Sequence, residues 1–185
     1  AAILGSLLAT ALGVAIAYPA TRVRGMTLAV ATLAMAVAVE DLVLASEPFS
    51  GGAAGSSAPR PSLFGLDIGF EARGTANFRP AWGLTVLVIV ALATIAVANL
   101  RRNRTGLRWL AVRANERAAA AAGIDVTRTK LHAFAVSSFL AGLSGVLMAY
   151  GTVTMSPTSF AVIGALVVLS LTYLAGVSSI SGALL

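Results

Sequence analysis

From Leu131 to Leu185 the sequence contains no Asp, Glu, Lys or Arg. An ordinary soluble domain devotes about a quarter of its residues to charge, so a stretch this long without any cannot cover a surface in water. The whole chain follows the same bias, with 58% hydrophobic and 11% charged residues. It contains no cysteine, which excludes disulfides and thiolate metal sites. The chain begins at Ala1 and ends within an apolar run, which reads as a piece of a longer protein, and no secretory leader precedes the first apolar stretch.

A membrane-crossing helix needs about 20 largely apolar residues, because lipid cannot satisfy an exposed peptide group. Five segments meet that description: Ala1 to Tyr18, closed by Pro19; Gly25 to Ser46, interrupted by Glu40 and Asp41; Ala81 to Leu100; Leu131 to Tyr150; and Phe160 to about Val177. The expected fold is therefore all-α, a polytopic transmembrane helical bundle with about five spans in one domain, 1–185. Its sidedness follows from charge. Arg101, Arg102, Arg104, Arg108, Arg113, Arg117, Arg128 and Lys130 are opposed within their segment only by Glu116 and Asp125, so this segment carries the whole net charge of +6. Short loops rich in Lys and Arg stay in the cytoplasm, which places 101–130 inside, 48–80 outside and the Arg22/Arg24 turn inside.

Two features suggest how the helices are used. Ala133, Ser137, Ala141, Gly145 and Ala149 recur every fourth residue, with Ser138 and Gly142 beside them, and small residues at this spacing let helices approach closely. General abundance of Ala and Gly explains the row equally well. Within the basic segment, Gly106 to Ala122 separates at helical periodicity into two faces. Leu107, Leu110, Ala111, Ala114, Ala118 and Ala121 fall on one face, and Arg108, Arg113, Glu116 and Arg117 on the other. Thr105 is the expected N-cap, Gly123 the residue that ends this helix, and Asp125 the cap of the next. A basic amphipathic helix of this kind either lies on anionic lipid as an anchor or receives a partner.

The stretch NERAAAAAGIDVTRTKLHAFAVSSFLAGLSGVLMAY, from Asn115 to Tyr150, resembles the cytoplasmic loop and following helix of branched-chain amino acid ABC transporter permeases. The match runs through Glu116, Ala118 to Ala122, Gly123, Ile124, Lys130, Ala133 and Phe134. Arg24-Gly25, Leu28-Ala29 and Thr32-Leu33-Ala34 resemble an earlier family helix, and Ser50-Gly51-Gly52 with Gly55 resembles its outer loop. Ser156-Pro157 with Ser159-Phe160 resembles a further family motif. The sequence departs from the pattern at Ala175-Gly176-Val177-Ser178-Ser179, where the family has a Gly-Gly-x-Gly-Ser run, and at Arg117, where a Glu is usual.

The resemblance implies a non-enzymatic permease subunit in a bacterial inner membrane. Arg113, Glu116, Arg117, Ala118 and Gly123 would couple it to a separate ATPase, Ala141, Gly142 and Gly145 would pack its helices, and Gly51, Gly52 and Gly55 would form an outer-loop gate. The implied partners are the lipid bilayer, ABC ATPase subunits, a second permease subunit and an extracytoplasmic solute-binding protein. ATP and Mg would bind the ATPase partner: this chain has no phosphate-binding loop, and its single lysine is Lys130. Branched-chain or other amino acids, urea and short amides all suit the resemblance. A secondary transporter and a non-transporting scaffold with a basic anchor helix are the alternatives. No metal-ligand spacing is present, and the confinement of the arginines between two spans disfavours nucleic acid. His132, the single histidine, reads as a polar cap one turn inside its helix, with a functional role as the alternative.

Overall fold

The structure, a computed structural model, describes residues 2–21, 26–41, 56–57, 62–63, 66–67, 71–72, 75–78, 80–152, 154–155 and 162–176. Its helices are α1 (Ala2–Ala20), α2 (Met26–Val39), α3 (Pro80–Arg102), α4 (Arg104–Ala114), α5 (Glu116–Ala121), α6 (Val126–Thr152) and α7 (Val162–Ala175). The only β-structure among the described residues is a set of short antiparallel pairs. They are β1 (Ser56–Ser57) with β6 (Thr154–Met155), β2 (Ser62–Leu63) with β3 (Leu66–Asp67), and β4 (Glu71–Ala72) with β5 (Thr75–Phe78).

The five apolar helices lie where the apolar runs place them. Among the described residues, two are long and apolar enough to cross a membrane, through Trp82–Arg102 and Val126–Thr152. Ile3–Pro19, Val30–Val39 and Gly164–Leu174 are apolar but shorter. At 1.5 Å per residue the 14 described helical residues of α2 and of α7 each cover about 21 Å. Pro19 does not close α1 as expected but lies inside its last turn. In α2 the α-helix gives way at Glu40 and Asp41 to a wider π turn.

The chain divides into two compact units, 1–24 with 61–151 and 25–60 with 152–185. In the second unit α2 lies against α7. In the first, α1 crosses α6 with antiparallel register. Gly5 meets Val146, Gly142 meets Ala9 and Ser6, and Gly13 meets Ser138. A methyl group added at Gly142 would stand 2.5 Å from the Ala9 Cβ and 3.1 Å from the Ser6 Cα, so only glycine allows this approach. The face of α6 that packs is thus Ser138, Gly142 and Val146. The expected row through Ala141 and Gly145 is turned away: Ala141 is exposed, and nothing lies within 4 Å of a side chain at Gly145. Adjacent residues on a helix are 100° apart, and packing on α1 selected the neighbouring row. Trp82 at the start of α3 meets Tyr150 at the end of α6 edge to face, 6.3 Å between centroids, so α3 also runs opposite to α6.

Almost nothing apolar is buried by the chain itself. Ala17, Val112 and Ala119 are the buried hydrophobic residues among those described, while Leu84, Leu87, Leu92 and Ile95 of α3 and Leu166 to Leu169 of α7 are exposed. Water cannot be the solvent of such a surface. The hydroxyls agree with an apolar surrounding: Thr10, Thr94, Ser170 and Thr172 each donate back to the carbonyl one turn earlier, at 2.7–2.9 Å. This local bond relieves a polar group that lipid cannot satisfy.

Candidate functional site

The features singled out by the sequence converge on an elbow made by α4, α5 and the start of α6. Its geometry begins at Asn103. There α3 ends, and Gly106 packs so closely on the Arg101 backbone that any side chain at 106 would strike it. Thr105, the expected N-cap, lies inside α4; Asn103 occupies the cap position without a side-chain cap bond. The close approach at Gly106 fixes the rotation of α4, so that Gly106 and Val112 are buried and Trp109 lies between them on the same side. Leu107 and Leu110 face outward, 61% and 54% exposed. The apolar stripe legible in the sequence is therefore not the face that packs.

The expected single helix from Gly106 to Ala122 is two helices. Asn115 separates them, with φ −159° and ψ 111°. Its amide donates to the Ala111 carbonyl at 3.1 Å, ending α4. Its side-chain oxygen accepts from the Arg117 and Ala118 amides at 3.0 and 3.2 Å, starting α5. An N-cap asparagine followed by an acid in the first turn is a helix-start signature. That signal was present in Asn115-Glu116, but the uninterrupted helical periodicity overrode it.

The far end of α5 forms as expected. Ile124 donates to the Ala119 carbonyl and Gly123 to the Ala120 carbonyl, both at 3.0 Å, the paired closure of a Schellman turn. Gly123 carries it at φ +79°, a conformation that L side chains rarely adopt. Asp125 then caps α6, accepting from the Arg128 amide at 3.0 Å, and its carboxylate also pairs with the Arg128 guanidinium at 3.2 Å.

Spacing gave no warning of the contact that ties this elbow together. The Lys130 ammonium meets the Glu116 carboxylate at 2.7 Å, with the side chains 17% and 33% exposed. The first turn of α5 is thereby fastened to the first turns of α6, within a cleft of about 450 Å³ also lined by Trp109, Val112, Arg113 and Thr129. Of the five residues expected to couple, Glu116 holds the elbow by charge and Gly123 by backbone shape. Arg113, Arg117 and Ala118 are exposed. Together with Leu107 and Leu110 they leave a mixed basic and apolar surface uncovered. Gly51, Gly52 and Gly55, the expected outer gate, lie outside the described residues.

A separate cleft of about 630 Å³ opens between α1, α3 and α6, walled by residues such as Leu7, Ile89, Leu92, Val136, Phe139 and Leu140. Its one hydroxyl, that of Thr10, is already bonded to the Ser6 carbonyl at 2.7 Å. A zwitterionic solute would lose its hydration there and gain no partner, a cost of several kcal/mol for each charge. The cleft suits a helix or an acyl chain.

The model of the branched-chain amino acid transport system permease component matches residues 1–185. The chain is 33% identical, over 192 aligned residues, to the high-affinity branched-chain amino acid transport system permease protein LivM of Salmonella typhimurium and to that of Escherichia coli. Each alignment covers 95% of this chain and 45% of the relative, so the chain spans about half the length of these proteins. It is also 34% identical over 115 residues to the L-arabinose transport system permease protein AraH of Escherichia coli, covering 60% of this chain and 34% of that one. No solved structure matches.

Proposed function

Because this chain belongs to the branched-chain amino acid transport system permease family, we propose that it forms part of the translocation path of an ABC importer and receives mechanical work at the α4–α6 elbow. The observation that carries this reading is the Lys130–Glu116 pair: it joins a short cytoplasmic helix to the base of a helix long enough to cross the membrane. A separate ATPase binds ATP and Mg and docks on the exposed surface of Leu107, Leu110, Arg113 and Arg117. Closure of its subunits displaces α5. A helix capped at both ends and fastened by an ion pair moves as one piece, so the displacement passes into α6. The ATPase does work on the permease only through its differential affinity for the inward-open and outward-open states.

The antiparallel registers of α1 and α3 against α6 support the alternating topology that puts 101–130 inside and 48–80 outside a bacterial inner membrane. A second permease subunit completes the path, and an extracytoplasmic binding protein delivers a branched-chain amino acid. The likeness to an arabinose system permease over part of the chain favours a second reading, in which the solute is a sugar.

The test is reconstitution of the complete permease with its ATPase and measurement of solute-stimulated ATP hydrolysis. Glu116→Lys is expected to abolish stimulation while the complex still assembles, and the exchange Glu116→Lys/Lys130→Glu to recover much of it. Unaltered stimulation in the single variant would show that the elbow does not couple. Stimulation by arabinose and not by leucine would select the second reading.

A further inference from the structure

Next to the cleft of the ion pair, with Trp109 and Thr129 lining both, lies a second cavity of about 530 Å³, bounded by α4, the Gly123 turn and the first two turns of α6. Its polar walls are Thr105, Arg108, Asp125, Arg128 and His132, with Trp109 at the boundary between the two cavities. The charges do not cancel. Asp125 is engaged by Arg128, and among the described residues Arg108 has no ion-pair partner. The Trp109 indole N–H is buried and, among the described residues, has no acceptor.

We infer that this cavity binds the phosphodiester headgroup of an anionic phospholipid. An anionic headgroup supplies the negative charge that two arginines, Arg108 and Arg128, leave uncompensated against the single carboxylate of Asp125, and the Trp109 ring lines the same cavity. The position selects the source. The cavity lies where α6 passes from the basic segment into its uncharged stretch, the depth at which headgroups sit, and tryptophan is enriched at this boundary. Basic pockets between helices on the cytoplasmic side are suited to anionic headgroups. His132 supplies a further polar group on the same wall, one turn inside the helix. The site requires only that α6 enters the membrane here, so it stands or falls independently of any ATPase.

The complete permease carrying 5-fluorotryptophan, in nanodiscs of phosphatidylcholine with increasing phosphatidylglycerol, gives a direct readout at the Trp109 fluorine resonance. Loss of the signal in Trp109→Phe assigns it; should that variant not fold, its displacement in Arg108→Gln does. The resonance is expected to move with the phosphatidylglycerol fraction and to saturate. Arg108→Gln and Arg128→Gln, both at exposed positions, should each raise the half-saturating fraction about five-fold. Arg102→Gln, on the same basic segment but outside the cavity, should leave it unchanged. A resonance insensitive to phosphatidylglycerol, or one that responds equally in the arginine variants, overturns the site. Reproduction of the shift by sodium phosphate in pure phosphatidylcholine discs would make it a free-anion site and overturn the lipid source. A shift that requires the ATPase subunit instead of anionic lipid would overturn it in favour of a protein contact.

Discussion

The α1–α6 crossing and the α4–α6 elbow share a helix but are held by different forces. At the crossing, Gly5, Ala9 and Gly13 meet Val146, Gly142 and Ser138 through the absence of side chains. Association there depends on how closely two backbones approach, since lipid offers no hydrophobic incentive for helices to pair. At the elbow, Asn115, Gly123, Asp125 and the Lys130–Glu116 pair each fix a direction. The first junction fails by addition of atoms and the second by removal of particular ones. In one helix, then, the apolar half specifies a distance and the polar first turns specify an angle.

Substitutions that add bulk at the crossing should have the largest effect. Gly142→Leu is expected to destabilise the folded chain by about 3 kcal/mol, because Ala9 and Ser6 occupy the needed space. Gly145→Leu, one turn along the same helix but facing open space, should stay within about 0.5 kcal/mol. Unfolding in mixed micelles titrated with a denaturing detergent measures both, and equal losses would refute the assigned face. At the elbow, Gly123→Ala meets no steric obstacle but must hold φ +79°, at a cost of about 1.5 kcal/mol in the same assay. Asn115→Ala should cost about 1 kcal/mol and speed hydrogen exchange at the Arg117 and Ala118 amides, leaving exchange in α1 unchanged. Within the elbow the smallest effect is expected for the ion pair: a double-mutant cycle of Glu116→Gln with Lys130→Met should give a coupling near 0.7 kcal/mol. A coupling of zero would mean that the elbow is held by its caps alone.

What the sequence disclosed divides along the same line. Local signals were legible: the apolar runs located five helices, and Gly123 and Asp125 took the turn and cap positions their chemistry favours. Residues that depend on a neighbour's position were not. The choice of Gly142 over Gly145 needs the rotation of α6 against α1. The outward turn of Leu107 and Leu110 needs the contact of Gly106 with Arg101, and the partner of Lys130 lies across two intervening turns of chain. Asn115 was lost to a competing signal, since helical periodicity ran through a residue that could also begin a helix.

The scarcity of buried apolar residues has a thermodynamic consequence. With Ala17, Val112 and Ala119 as the buried hydrophobic residues among those described, the apolar area that an ordinary domain hides from its solvent is here handed to the bilayer. Lipid or detergent therefore enters the folding equilibrium as a reactant, and its concentration and chain length shift the measured stability as a ligand would. A melting temperature for this chain is a property of the protein together with its amphiphile, and two such values are comparable only at the same composition of both.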